Sequence, residues 1–455
     1  MKSFKHKLVI YGLLLATTAA VSCKKSFFSD VNINTNAPDS SSIIPSVMLS
    51  TVEGTLAYTQ GGDISRFTSL ITQQTEGSAR QAQGYYQYTF TSVDFDQAWG
   101  NLYTSVLQNN KVLLRISDAK GDHAYSGISR VLMAYSLQMA VDMWGSIPYS
   151  DAFKGASNLQ PKYDNDKALY DTINTMLTTA ISLLSNSDKG PDEPGAEDVI
   201  YQGDNAKWIK FAHAIKARLF IHQSKGNAAM ATSALAEIAQ SFSSNDDNAV
   251  YQFGSTETSA NPWYQFNEQR TADIAYDQSP LAMRMMTAND PRYTIFADSS
   301  FNDVNGVGMG SYYGNISSPV ELITYDELQF MKAEALLRSG GSLAAAQTAY
   351  VEGITANMEK LGVKAGAIGT YLATKGTLPG TTAAAISQVA AEEYVALYLN
   401  PEAFTLWRRT ASPTLTPITG ANVPRRFLYP QTEYSYNEAN VSASTLYTPR
   451  IFWDL

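Results

Sequence analysis

Apolar residues recur every three or four positions through much of the chain, the spacing that lays one buried stripe along an α-helix. Leu102, Val106 and Leu113 mark one stripe, and Ile128, Leu132, Tyr135 and Met139 a second. Leu169, Ile173, Leu177, Ala180 and Leu184 mark a third, and Trp208, Phe211, Ile215 and Leu219 a fourth. After Gly226 another follows through Ala231, Leu235, Ile238 and Phe242. The clearest unit is a hairpin. Tyr325, Leu328, Met331 and Ala335 form one arm, Gly340 and Gly341 end it, and Leu343, Ala346, Tyr350 and Ile354 return. Ala333, Ala335, Ala344, Ala345 and Ala349 allow its arms to approach closely. The pattern predicts a mostly α fold, a tetratricopeptide-like scaffold of irregular helical pairs. Each pair needs a neighbour to bury its face, and no strict repeat period is visible.

Other stretches break the pattern. Residues 243–324 are rich in Ser, Asn, Gly and rings, carry Pro262, Pro280, Pro291 and Pro319, and show little helical period. Residues 77–93 and 362–382 share that character, and the section from Thr410 onward is rich in Pro and Tyr. Long irregular segments in a compact protein more often carry function than not, so 243–324 is expected to form a loop-rich, ligand-binding lobe.

The amino terminus reads as a leader. Lys2, Lys5, His6 and Lys7 precede an apolar run at 8–16 and small residues at 17–20, as in a secretory signal. That run is too short to span a bilayer, which takes ~20 apolar residues. The chain's one cysteine, Cys23, follows Ala20, Val21 and Ser22, which resembles a bacterial lipobox. The expected division is a lipoprotein signal over 1–22, a lipid-anchored tether over 23–42 and a single domain over 43–455. Anchorage through an acylated Cys23 places the protein on a membrane without crossing it. Within the tether, Asp30, Asn32 and Asn34 alternate like calcium ligands, but Thr35 and Ser41 stand where such a loop needs Gly and Glu. One cysteine excludes an intrachain disulfide.

Composition narrows the partners. Aromatic residues make up 11% of the chain, including 27 tyrosines, while charged residues reach only 16%. The formal charge is −9, and −12 without Lys2, Lys5 and Lys7 of the leader, with no basic block, which argues against nucleic acid.

The helix through Met139 runs into Asp142, Trp144, Gly145, Ile147, Pro148, Tyr149, Asp151, Ala152 and Phe153. Gly145 and Pro148 stop a helix, and Trp144 and Tyr149 are expected to pack the corner. Asn289 to Arg292, Glu392 to Tyr394, Glu402 to Thr410 and Val423 to Arg426 follow in order, then Tyr429, Pro430, Glu433 and Asn437. Taken together, from Cys23 to Asn440, these marks resemble the SusD-like (SusD/RagB) family of nutrient-binding outer-membrane lipoproteins of the Bacteroidetes type. The resemblance implies a tetratricopeptide-like helical fold with a less regular ligand lobe and no catalytic residues. It also implies lipid anchorage in the outer membrane, with the protein facing the cell exterior, and partnership with a SusC-like TonB-dependent transporter. Some members carry acids just after the anchor that favour surface display; here Lys24 and Lys25 stand there.

The chemistry-bearing residues agree with a binder. His6, His123, His213 and His222 form no HExxH pair, and His213 and His222 do not share the apolar face of their helix. No nucleophile elbow is present, and Gly306, Gly308 and Gly310 are misspaced for a dinucleotide loop. No metal or cofactor is expected. Glu327, Glu334, Glu392 and Glu393 lie in helical patterns and are expected to pair with Arg338, Arg408 and Arg409. Arg425 and Arg426 are expected to anchor the carboxyl-terminal segment.

Sugars are held by stacking on rings while planar polar groups take their hydroxyls. Candidate platforms are Tyr85, Tyr86, Trp99, Trp263, Tyr264 and Phe266, with Arg80, Gln83, Asn261 and Gln265 as polar partners. Oligosaccharide is the expected cargo and peptide the alternative, as in the RagB branch. A secreted glycan-active enzyme requires two loop carboxylates, such as Asp273 and Asp277, facing each other across a cleft. A purely structural repeat scaffold requires that no ring-lined pocket exist.

Overall fold

The computed structural model describes residues 44–300 and 307–455; the expected leader, Cys23 and the tether lie outside the described residues. Residues 45–455 form one compact unit. The scaffold helices used below are α1 (Pro45–Thr59), α2 (Ser65–Ile71), α3 (Arg80–Tyr86), α4 (Gln108–Lys120), α5 (His123–Trp144), α6 (Asp166–Leu184) and α7 (Asn205–His222). They continue as α8 (Ala228–Ile238), α9 (Pro262–Gln269), α10 (Tyr325–Arg338), α11 (Leu343–Lys360), α12 (Ala365–Lys375), α13 (Thr382–Ala396) and α14 (Glu402–Thr410). The fold is mostly helical, as the periodicity implies. Neighbours in sequence pack side by side: α4 on α5, α5 on α6, α6 on α7 and α7 on α8, after which α8 meets α10, and α10 meets α11 and α13.

Local signals set these helices. Asn165 and Asp204 accept hydrogen bonds from the first free amides of α6 and α7, and Ser342 does so for α11. α5 is buried along nearly its whole length. Gly353 lets α11 lie against α10, because a side-chain carbon there would crowd the Phe330 ring. The α5 terminus behaves as expected: Gly145 takes φ +82, and the buried Trp144 donates to the Leu428 carbonyl at 2.9 Å. Its ring meets Trp99 and Phe427 edge-on, each at 5.3 Å.

The irregular stretches are more structured than their composition suggests. Strands Ala249–Gln252 and Pro319–Ile323 pair antiparallel and close the base of the 243–324 insert, which also holds α9. Residues 362–382, expected as loop, contain α12. That helix buries only Ile368 and Tyr371, so its Ala- and Gly-rich sequence carries no legible stripe. No described helix is long and apolar enough to cross a membrane.

Beneath the stack lies a buried ion network. Arg218 of α7 grips Glu327 of α10 with Nε and Nη2, both at 2.7 Å. Arg409 of α14 donates to Glu334 of α10 at 3.0 Å, and Arg338 donates to the same carboxylate at 2.6 Å. His222 Nε2 sits 2.8 Å from Glu402 Oε1. The expected Glu–Arg pairing thus holds for Glu334, while Glu327 finds Arg218 and Glu392 finds Arg292 at 2.9 Å. Arg408 departs from expectation: it donates to the Arg425 carbonyl and lies over Phe404 and Trp453.

Burial pushes the Glu334 carboxyl up, but Arg409 and Arg338 outweigh it and hold the group at about 2. A depressed carboxylate stabilises the fold above its unfolded pKa, and that contribution is lost as pH falls toward the folded value. Glu334→Gln is expected to cost about 3–5 kcal/mol at neutral pH, because it strands buried guanidinium charge. It should also flatten the acid limb of stability between about pH 5 and pH 2. Denaturant melts across that range check both; an unchanged midpoint at pH 7 contradicts the assignment.

Candidate functional site

A surface cleft of about 360 Å³ opens where four short segments converge. α2 and the turn before it supply Asp63, Arg66, Phe67 and Leu70. α3 supplies Gln81 and Tyr85, the turn at 92–97 supplies Val93, Asp94 and Gln97, and α9 with its exit supplies Phe266, Gln269, Arg270 and Asp273. The two halves are tied by a short antiparallel ladder in which Glu76 pairs with Ala275 and Gly77 with Ile274. Ser78 adds a backbone bond to Asp273 at 2.8 Å. Gly77 must be glycine, since any side chain would collide with the Ala82 carbonyl.

The walls combine rings, amides and charged groups. Tyr85 stacks on Phe90 at 4.7 Å and meets Phe67 edge-on at 5.0 Å. Its hydroxyl donates to Asp94 at 2.8 Å. Burial and that bond raise the phenol's pKa, so it stays a donor. Asp94 also accepts from the Thr91 amide and hydroxyl, each at 2.7 Å. Asp63 pairs with Arg66 and Asp273 with Arg80, so each wall carboxylate already has a partner. The Arg66 guanidinium lies 4.7 Å from the Phe266 ring centroid. Gln81, Gln97 and Gln269 are exposed planar amides. Asp277 is not part of the walls, so the facing pair with Asp273 that an enzyme reading requires does not form across this cleft.

Of the residues singled out from sequence, Tyr85 and Phe266 share the cleft, and Arg80 stands at its rim through Asp273. The others are placed elsewhere. Trp99 is 4% exposed, stacked on Tyr103 at 4.5 Å. Trp263 is 3% exposed and donates to Ser65 Oγ at 2.9 Å. Tyr86 packs into the same secondary core as Trp263. Tyr264 is half-buried and reaches Glu257 at 3.4 Å, away from the cleft. Asn261 is a helix cap, not a ligand group: buried, it accepts from the amides of Trp263 and Tyr264 and donates to the Ser318 carbonyl at 3.0 Å. Gln265 bonds the Glu257 carbonyl at 3.0 Å, and Gln83 is exposed outside the walls. Trp263 packs because the start of α9, with Pro262, is buried, whereas Phe266 further along reaches the cleft.

Residues missed from sequence include Asp63, Arg66, Phe67, Asp94, Arg270 and the three glutamines. Helical spacing offered a signal for two: Gln81 lies four residues before Tyr85, and Gln269 three after Phe266.

Asp142, His222 and Glu402 also bring possible metal-ligand atoms together, all buried. Both imidazole nitrogens are engaged, Nε2 with Glu402 and Nδ1 with the Tyr170 hydroxyl at 2.9 Å. Burial disfavours charge on His222, but Glu402 and Asp142 outweigh it and raise its pKa. Arg218 and Arg409 stand 3.6 Å from Glu402. The group reads as an imidazolium between carboxylates within the ion network.

Residues 36–430 match a family model, SusD-like_2, described as starch-binding and associating with the outer membrane. Among solved structures, a SusD/RagB family protein from Bacteroides thetaiotaomicron is similar at 21% identity and TM-score 0.74, over 91% of this chain and 99% of that one. A SusD-like protein from Bacteroidetes AC2a gives 20% and 0.77, over 91% and 100%. A chitin-binding SusD homologue from Flavobacterium johnsoniae gives 20% and 0.74, over 90% and 99%. At such identities the likeness establishes a common fold. No protein of curated function matches the sequence.

Proposed function

Because this chain belongs to the SusD-like family, we propose that it is a lipid-anchored outer-membrane protein, facing the cell exterior, that captures oligosaccharides and performs no chemistry on them. The observation that carries this reading is the cleft, where Tyr85 and Phe266 stand among planar amides, guanidinium groups and carboxylates that already have partners. Such a wall suits an uncharged polyol: rings take its C–H faces, and amides and guanidinium take its hydroxyls. That the similar protein from Flavobacterium johnsoniae is chitin-binding supports carbohydrate over peptide cargo. Captured sugar then passes to a SusC-like TonB-dependent transporter, and acylated Cys23 keeps the two in one membrane.

Detergent pull-down of the tagged wild type from native outer membrane is expected to bring a TonB-dependent barrel in stoichiometric amount. Cys23→Ala should leave the membrane fraction and lose the barrel. A wild-type sample free of any barrel contradicts the handover, and a Cys23→Ala variant still in the membrane contradicts the anchor. For capture, affinity electrophoresis through soluble neutral polysaccharides should show retardation of the wild type. Tyr85→Ala should weaken it about tenfold or more, while Tyr264→Ala, whose ring lies off the cleft, leaves it unchanged. Equal retardation of all three proteins removes the cleft from consideration.

A further inference from the structure

Three rings line the cleft, Phe67, Tyr85 and Phe266, and Phe266 already carries a cation on its face. Arg66 projects from α2 and Phe266 from α9, and the guanidinium lies over the ring at 4.7 Å from its centroid. The Arg66 side chain is only 17% exposed and is tethered by its ion pair to Asp63, three residues earlier and 23% exposed. A guanidinium on an aromatic face gains cation–π attraction, and it gains more as water is excluded. A pyranose stacking on Phe266 needs the same kind of contact, a flat partner against the ring. Both cannot occupy one face at once.

We propose that Arg66 is a specificity-determining residue of this cleft, covering Phe266 in the free protein and giving way when a sugar stacks there. The inference rests on the carbohydrate reading of the site. It makes Phe266 a conditional platform and Tyr85 the standing one. A ligand that only stacks must overcome the lost cation–π contact. One that offers the displaced guanidinium two adjacent hydroxyl oxygens returns a forked pair of hydrogen bonds. The cleft therefore discriminates among sugars by the hydroxyl pair next to the stacked ring. Asp63 keeps the displaced guanidinium within reach, since its own anchor lies on the same helical turn.

A double-mutant cycle tests this. Affinities of wild type, Arg66→Ala, Phe266→Ala and the double variant are measured by calorimetry against hexasaccharides derived from chitin, cellulose, laminarin and maltodextrin. Thermal melts confirm that each variant folds. For the hexasaccharide that wild type binds with the least help from hydroxyl pairs, Arg66→Ala is expected to bind about five-fold tighter. Phe266→Ala alone should change affinity by less than about two-fold, but in the Arg66→Ala background it should erase the gain. Asp63→Asn, which loosens Arg66 without removing it, should tighten binding in the same direction. Weaker binding by Arg66→Ala across the whole panel, or an equal loss from Phe266→Ala in both backgrounds, overturns the proposal and leaves the carbohydrate reading standing. Absence of binding by wild type and all variants overturns both.

Discussion

Arg218 and Arg409 carry guanidinium charge into the interior, where carboxylates drawn mainly from other helices compensate it. Four cations, Arg218, His222, Arg338 and Arg409, face four carboxylates, Asp142, Glu327, Glu334 and Glu402. Glu393 is the fifth acid, 3.9 Å from Arg409, and burial together with the neighbouring carboxylates raises its carboxyl well above the usual range. Each ion's desolvation is offset only while its partners stay in place, so removing one member is costly. The forked Arg218–Glu327 pair also admits a single mutual orientation. An apolar stripe alone lets helices slide; this network fixes the register of α7, α10 and α14 where the repeat itself is weak.

The cleft inherits its geometry from that frame. α14, which carries Glu402 and Arg409, follows the turn at Leu397 and Leu399. That turn is clasped by Gln74: its amide donates to the Tyr394 and Leu397 carbonyls at 3.0 Å, and its oxygen accepts from the Leu399 amide at 3.0 Å. Ser65 at the start of α2 adds a bond to the Leu399 carbonyl at 2.5 Å and receives the Trp263 indole N–H. Thus α2, with Arg66 and Phe67, and α9, with Phe266, are both moored to the scaffold beside the ion network. Trp263 holds the platform helix in place: its ring does not line the cleft but meets the Phe266 ring edge-on from behind at 6.2 Å.

Much of the scaffold was legible because amphipathic helices announce themselves by period, and the motif at 142–153 stood out by its Gly and Pro stops. The buried charges were not legible in the same way: Arg218 sits in a helical pattern like any surface arginine, and only its partner Glu327, 109 residues on, makes it internal. For the site, ring content in irregular sequence was a fair guide to the neighbourhood and a poor one to orientation. Tyr85 and Phe266 meet in the cleft, whereas Trp99 and Trp263 are too large to leave exposed and fill core space. Asn261 carried its own explanation, since Asn followed by Pro marks a helix start. Asp63 and Arg66 gave no sign, as a helical ion pair three residues apart is ordinary surface chemistry until the tertiary fold sets a ring beneath it.

The most direct measurement is a crystal structure with a bound neutral hexasaccharide. The account predicts sugar density between the α2–α3 wall and α9, against Tyr85, with a second ring on Phe266 and Arg66 moved off it. Density lodged instead in the separate groove beside Trp407 and Tyr447, with Arg66 still over Phe266, contradicts it.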